Sequence, residues 1–579
     1  MEKNKISNKV KLLNFLLSKG LILIMIIFFI NGITGLFFDY SLNTGGDETT
    51  VMAATVKMIS EHNLRPNYPT FYHVPLAVYF YLLPFILFFA FLRLTGVFTD
   101  LNALKEFGII NFYSLLPFAR FLTVLMGLVA IYFLYKITEK LFNDKRISLL
   151  AAFFLSSSLM FVQVAHTARV WLPQIMTILI AFYLIVILYQ RREDKIKDYL
   201  FAGLSLGLAF GTHVVGIMAY SSFFIAHYLK NRGKKIKETF LTNKYFWLAN
   251  LAIIICYLLT FYLNTYGFKN YINRQGKIWP NFSFLFDSSQ LDQSAGAGLE
   301  AAKMNLFDKL IHYFGVLITY DPLLILLALG GFLVLFFRER GIFYLLFSFT
   351  AVYYFAISFI GLEQHYIVPI IPFIAMAAGY GVLALYKKIN KTLFFSLMAP
   401  VMVIIFFLPI IGDYRMIQPG GRLAARDWIY KNIPSSSHII NFDPRLELNE
   451  SKASLTDIKK FTEGFYTKKR AYLFAESETE YPRPNYYVLN YTYFNGLPKE
   501  LFDKKYDYLL VPWNNPEDLK IALDRAKVFK SGLTLIKRFP ESADENTETA
   551  TMREDMPKPI WTILTVKTRG PILDIYKLK

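Results

Sequence analysis

The sequence predicts a polytopic α-helical membrane protein of about eleven transmembrane helices, followed by a C-terminal extracytoplasmic α/β domain. Three observations predict it. The 579 residues are 55% hydrophobic and 17% aromatic, with a mean hydropathy of +0.37, too apolar for a chain dissolved in water. Apolar runs long enough to cross about 30 Å of hydrocarbon recur as far as residue 412, separated by connections rich in Lys and Arg. Beyond that point the runs stop, and short alternating stretches replace them.

The net charge of +19 arises from 62 Lys and Arg against 43 Asp and Glu. A nucleic-acid binder would gather that charge into a groove with stacking aromatics, whereas here it sits in loops between spans. No nucleic-acid partner is expected. The single cysteine, Cys256, lies inside an apolar run, which excludes an internal disulfide and a cysteine-based metal site.

The apolar runs fall near 20–38, 116–135, 147–164, 170–189, 198–213, 214–229, 245–264, 321–338, 342–360, 366–386 and 393–412. The first follows Lys3, Lys5, Lys9 and Lys11 in the manner of a signal peptide, but no small-residue cleavage site comes after it, so it reads as an uncleaved anchor. One further run, 74–95, is punctuated by Pro75 and Pro84.

Basic loops at Lys136 to Arg146, Arg191 to Lys197, Lys230 to Lys244, Arg338 to Arg340 and Lys387 to Lys391 are assigned to the cytoplasm. With a cytoplasmic N-terminus, the chain leaves near Phe38 and must be back by Lys136, which demands an odd number of crossings. The stretch 74–95 is therefore expected to lie at the outer interface. Residues 39–73, 163–170, 211–215, 265–315, 361–366 and all that follows Ile411 then face outward. No internal repeat points to the paired halves of a transporter.

Two domains follow: 1–412 in the membrane, with external loops 39–73 and 265–315, and 413–579 outside it. Gly412, Pro419, Gly420 and Gly421 mark the boundary. Helix-like stretches (Arg422 to Ile433, Leu455 to Phe465, Pro516 to Phe529) alternate with strand-like runs at His438 to Phe442, Tyr486 to Tyr493, Tyr506 to Val511, Leu533 to Lys537 and Ile572 to Leu578. The long polar connection 265–315, with Gly296, Gly298, Lys303 and Lys309, reads as a lid that gates an acceptor.

The polar residues of the membrane domain fall on one side, although the topology was drawn from the basic loops alone. Gly45-Gly46-Asp47-Glu48 follows the first span, and adjacent carboxylates there can supply a general base, although a solvated loop end shows the same pair. In His166-Thr167-Ala168-Arg169-Val170-Trp171, a helical turn would put His166 and Arg169 on one face, aimed at a phosphate; interfacial anchoring is the plainer alternative. Arg120 opens a span at the outer boundary, where it can reach a lipid phosphate or simply snorkel to the headgroups. His73, His213, and Glu363-Gln364-His365-Tyr366 complete the set. A site at the outer leaflet suits a substrate whose tail stays in lipid.

Taken in order, these motifs resemble the GT-C membrane glycosyltransferases, specifically glycosyltransferase family 39, which includes protein O-mannosyltransferases, and the related aminoarabinose transferases. The resemblance rests on Asp47-Glu48 after the first span, His73-Val74-Pro75-Leu76, Ala119-Arg120-Phe121-Leu122, Lys140 to Arg146, Ala168-Arg169, the Gly203 to Gly211 span, His365-Tyr366 with Pro369 and Pro372, and Ala424 to Ile429. It implies the GT-C fold, a polyprenyl-phosphate sugar donor, and inverting transfer to a hydroxyl of a protein, lipid or polysaccharide. Asp47 would act as base with Glu48 positioning it, while Arg120, Arg169 and His166 would hold the departing phosphate, with His73, His213, His365 and Tyr366 nearby. No cofactor is expected, and a divalent metal is left open. Trp171 stands where many relatives have an Asp, and His213 where a more basic residue is common. The oligosaccharyltransferase signature Trp-Trp-Asp-Tyr-Gly is absent.

Two other classes remain in view. A transporter or flippase of lipid-linked sugars would need polar groups through the membrane midplane. A non-catalytic scaffold would bind envelope glycans through its tail domain.

Overall fold

The computed structural model describes residues 2–38, 47–65, 76–98, 100–191, 193–263, 304–360, 363–418, 420–443, 445–461, 468–477, 481–490, 499–502, 504–527, 532–544, 547, 549, 558–565 and 570–579. The expected lid falls largely outside the described residues, and the described part after it is helical from Leu306.

The membrane part is a bundle of helices in chain order: α1 (Glu2–Thr34), α2 (Asp47–Ser60), α3 (Leu76–Leu94), α4 (Leu101–Ile110), α5 (Leu116–Phe142), α6 (Lys145–Ser156), α7 (Leu159–Ala165), α8 (Trp171–Gln190), α9 (Ile196–Thr212), α10 (Tyr220–Lys230), α11 (Lys244–Leu263), α12 (Leu306–Tyr320), α13 (Pro322–Arg338), α14 (Arg340–Ile360), α15 (Ile371–Lys388) and α16 (Lys391–Met416). Among the described residues six helices are long and apolar enough to cross a membrane, or up to eight if each of two bent pairs is one span. The chain is thus a polytopic membrane protein.

The basic connections gather at one end of the bundle. Gln190 donates to the Lys140 carbonyl, Lys230 pairs with Asp194 at 3.0 Å, and the Tyr189 hydroxyl lies against Gly341. Interhelical packing relies on small residues, as expected where apolar burial alone cannot drive association. At Gly331 on α13 even a Cβ would sit 1.9 Å from the Ala377 carbonyl oxygen of α15.

The ambiguous stretch 74–95 becomes α3, a 19-residue apolar helix. Its contacts along α5 fall within the first two turns: Phe85 and Phe88 meet Phe118, and the Tyr81 hydroxyl meets Thr123 at 3.0 Å. The helix is itself one of the six long and apolar enough to cross a membrane, and Leu83, Leu87, Phe91 and Leu94 are exposed. The ten-residue α4 is too short for an extra crossing.

Two bends interrupt the apolar helices. The 147–164 run breaks by 61° between α6 and α7, and α12 meets α13 at 115°. Asp321, in the second bend, accepts from the Ser158 hydroxyl at 2.7 Å and from the Leu159 and Met160 N–H groups at 2.8 and 3.4 Å. A carboxylate thus satisfies the open N–H groups where α7 starts, and ties the two bends together.

The tail contains a five-stranded sheet of β1 (His438–Asn441), β2 (Tyr487–Asn490), β3 (Tyr508–Trp513), β4 (Leu533–Phe539) and β5 (Ile572–Leu578), in the order β2-β1-β3-β5-β4. β1 runs parallel to β2 and β3, while β5 is antiparallel to β3 and β4. The period of two sends Ile439, Val488, Leu510 and Ile575 to one face, under Ala425 and Ile429. Ile440, Leu489, Leu509 and Val511 go to the other, with Leu519 and Ala526. The tail docks on the bundle through α7 and α4. The Gln163 side-chain amide of α7 donates to the Lys558 carbonyl at 2.9 Å and accepts from its N–H, and Tyr472 shares a hydrogen bond with Glu106.

Candidate functional site

Asp47 is the first residue of α2, and its side chain lies outside the described residues. Its neighbour Glu48 is fully buried. Arg120, in the first turns of α5, grips Glu48 with two parallel bonds, Nε to Oε1 at 2.6 Å and Nη2 to Oε2 at 3.0 Å. Arg120 Nη1 donates to the Leu36 and Phe38 carbonyls at 3.0 and 2.6 Å, and its guanidinium lies 3.6 Å from the centre of the Phe38 ring. The end of α1, the start of α2 and the start of α5 are therefore held at one point. With consecutive Cα atoms about 3.8 Å apart, fixing Glu48 fixes where the Asp47 backbone stands.

Glu48 also accepts from the Ala168 N–H at 3.1 Å. Burial works against its charge, but Arg120, the Ala168 N–H and Arg169 together outweigh burial and hold its carboxyl below the ordinary range. The expectation that Arg120 reaches a lipid phosphate is corrected here. Its side chain is wholly buried, and its donors go to Glu48 and to the chain's own carbonyls.

The turn after α7 is irregular rather than helical, so His166 and Arg169 do not share a helical face. His166 Nδ1 lies 2.8 Å from the Val162 carbonyl oxygen, and Nε2 lies 3.0 Å from that of Asn31 and 3.4 Å from Asp413 Oδ1 of α16. Both ring nitrogens thus face backbone carbonyl oxygens, one of α7 and one of α1. Gly35 lets this ring approach, since a Cβ there would sit 2.6 Å from it. His166 thus braces α1 against α7 and α16, while Arg169 goes elsewhere.

Arg169 is buried, with Nη1 3.4 Å from His365 Nε2. The Tyr81 hydroxyl of α3 donates to the Arg169 carbonyl at 3.4 Å. Beside them Trp171 is the hub of an aromatic cluster, its ring centre 5.0 Å from His213, 5.1 Å from His365 and 5.2 Å from Tyr366. The His213 ring also accepts from the Val215 N–H at 3.4 Å. Four of the expected residues, Arg169, His213, His365 and Tyr366, are thereby brought together, and the Ala168 contact links them to Glu48 and Arg120. His73 lies outside the described residues.

Four residues were not singled out in advance: Trp171 as a hub, Asp321, Asp413 and Gln174. Asp321 and Asp413 carried a signal, since a lone carboxylate at the edge of an apolar run is costly without a purpose. Gln174 lies one turn beyond Trp171 on α8 and is fully buried, and neither of its amide atoms has a hydrogen-bond partner among the described residues. Among those same residues no group of three or more His, Cys, Asp and Glu side chains is placed to hold a metal ion.

Residues 114–262 match the model of the dolichyl-phosphate-mannose-protein mannosyltransferase family. That stretch contains Arg120, His166, Arg169, Trp171, Gln174 and His213. No curated protein matches the chain significantly. Among solved structures, the chain is similar to ArnT from Cupriavidus metallidurans bound to undecaprenyl phosphate, at 13% identity and a TM-score of 0.48, over 96% of each chain. It is similar to an Archaeoglobus fulgidus oligosaccharyltransferase in complex with Zn and sulfate at 15% identity and a TM-score of 0.46, over 72% of this chain and 60% of that one. The arabinofuranosyltransferase AftD from Mycobacteria gives 13% identity and a TM-score of 0.35, over 97% of this chain and 40% of that one.

Proposed function

We propose that this chain is an integral membrane glycosyltransferase that moves a sugar from a polyprenyl-phosphate carrier to a hydroxyl acceptor at the non-cytoplasmic face. In this reading about eleven helices cross the membrane, the basic connections and the N-terminus are cytoplasmic, and the tail domain is outside. The observation that carries the reading is the buried Arg120–Glu48 pair directly after Asp47, tied by the Ala168 N–H to the turn that bears Arg169, with both arginines inside the family-matched stretch.

Asp47 takes the proton of the acceptor hydroxyl as its oxygen attacks the anomeric carbon. The bond from that carbon to the phosphate oxygen breaks on the opposite face, so the configuration inverts. The lipid phosphate leaves with the electron pair, and the growing negative charge is stabilised by Arg169 with His365 beside it. Glu48 and Arg120 are positioning residues: they hold the start of α2, and with it Asp47, against the 166–171 turn. Trp171 and the buried Gln174 amide suit the apolar face and the hydroxyls of the donor sugar.

The test is transfer from a polyprenyl-phosphate sugar in proteoliposomes by Asp47→Asn. Transfer is expected to fall by about 10²- to 10⁴-fold with the fold intact. Near-normal turnover in that variant would overturn the assignment of the base.

A further inference from the structure

The tail domain sends one short helix back to the membrane part, and its outward face is apolar. This helix, α17 (Ile560–Thr565), buries Ile563 against Gly412 of α16, where a Cβ would stand 3.6 Å from Ile563 Cδ1. The two hydrogen bonds between Gln163 and Lys558 hold its entry. Its other face presents Trp561 at 74% exposure and Leu564 at 48%, one turn apart. A folded tail domain in water would bury such residues or replace them.

Where α17 sits tells what covers this face. It packs on the last turns of α16, an apolar helix whose Val403 and Phe407 are about half exposed, and on α12. Because α12 meets α13 at 115°, it turns sharply away from the line of that helix. The exposed residues of α12, Phe307, Ile311, Phe314 and Ile318, follow a spacing of four, three and four, which makes one stripe along the helix. Trp561 and Leu564 extend the apolar surface of α12 and α16 onto the tail domain. A tryptophan packed beside the end of α16, with Lys558 behind it, matches the chemistry of the headgroup boundary.

We propose that α17 is a membrane-inserted foot of the tail domain, with Trp561 and Leu564 in the outer interfacial layer of the bilayer. The foot pins the domain over the 166–171 turn through Gln163, whatever reaction the site performs.

Tryptophan emission tests this directly. The full chain and its Trp561→Phe variant are reconstituted in vesicles of ordinary or brominated phosphatidylcholine, and the difference between their spectra reports Trp561 alone. The difference emission should be lost in brominated lipid and left intact by aqueous iodide. Placing the indole one turn on, by Leu564→Trp in the Trp561→Phe background, should restore the lipid-quenched signal. Quenching by iodide without quenching by bromine would put the foot in water. Insensitivity to both would mean that protein, such as a second copy of the chain, covers it. Either result overturns the proposal.

Discussion

Arg120 and Arg169 are both buried and both favour the charge of Glu48, but their partners differ in kind. Arg120 meets a carboxylate in two-pronged geometry and two backbone carbonyls, all parts of the chain. Arg169 Nη1 lies 3.4 Å from Nε2 of the His365 ring, inside the cluster around Trp171. A guanidinium whose donors go to a carboxylate and two carbonyls of its own chain holds shape, whereas Arg169 stands in the aromatic cluster where the proposed phosphate would leave. Both lie within the family-matched stretch, so the distinction comes from partners and not from position in the chain.

The sharpest way to break this comparison is to remove each arginine. Arg120→Gln leaves Glu48 as a buried carboxylate without its ion-pair partner and should destabilise the fold by about 3–5 kcal/mol. Chemical unfolding in detergent measures this, and the double variant Arg120→Met with Glu48→Leu should recover part of it. Arg169→Gln should leave stability nearly unchanged yet slow transfer by about 10²- to 10³-fold, as removal of one charge-stabilising donor does. A large unfolding shift there would erase the contrast.

Acid provides a milder probe. Because the Glu48 carboxyl is held below its ordinary range in the fold, its contribution to stability is complete above the unfolded carboxylate pKa. The contribution is lost as pH falls through the lower, folded value, since the unfolded chain binds the proton first. Glu48→Gln should flatten that part of the unfolding profile. The smallest effect is expected from Gln174→Leu, which keeps the volume while removing the amide. It should raise the KM for the sugar donor by about tenfold with kcat little changed, the mark of a lost binding contact.

Much of this was legible in the chain because it follows from solvent and period. The odd-crossing argument set 74–95 aside from the spans, whereas α3 is by length and composition able to cross. The alternation at Ile439-Ile440 and Leu509-Leu510 reads directly as two-faced strands. The roles of His166 and Arg120 were not legible, because they depend on which distant carbonyls approach. The 166–171 turn leaves the helix, so spacing rules for a helical face do not apply to it, and the Leu36 and Phe38 oxygens carry no signature in sequence. Asp413 was passed over as a boundary residue, although its place after an apolar run already marked it as needing a partner.

The measurement that bears most directly on the two arginines is binding of sugar-free polyprenyl phosphate in nanodiscs, with thermal unfolding on the same preparations. Arg169→Gln should weaken binding by about tenfold or more while unfolding near the wild-type temperature, and Arg120→Gln should unfold early. An Arg120→Gln protein as stable as wild type that no longer binds the carrier, beside an Arg169→Gln protein that binds it normally, would contradict the account.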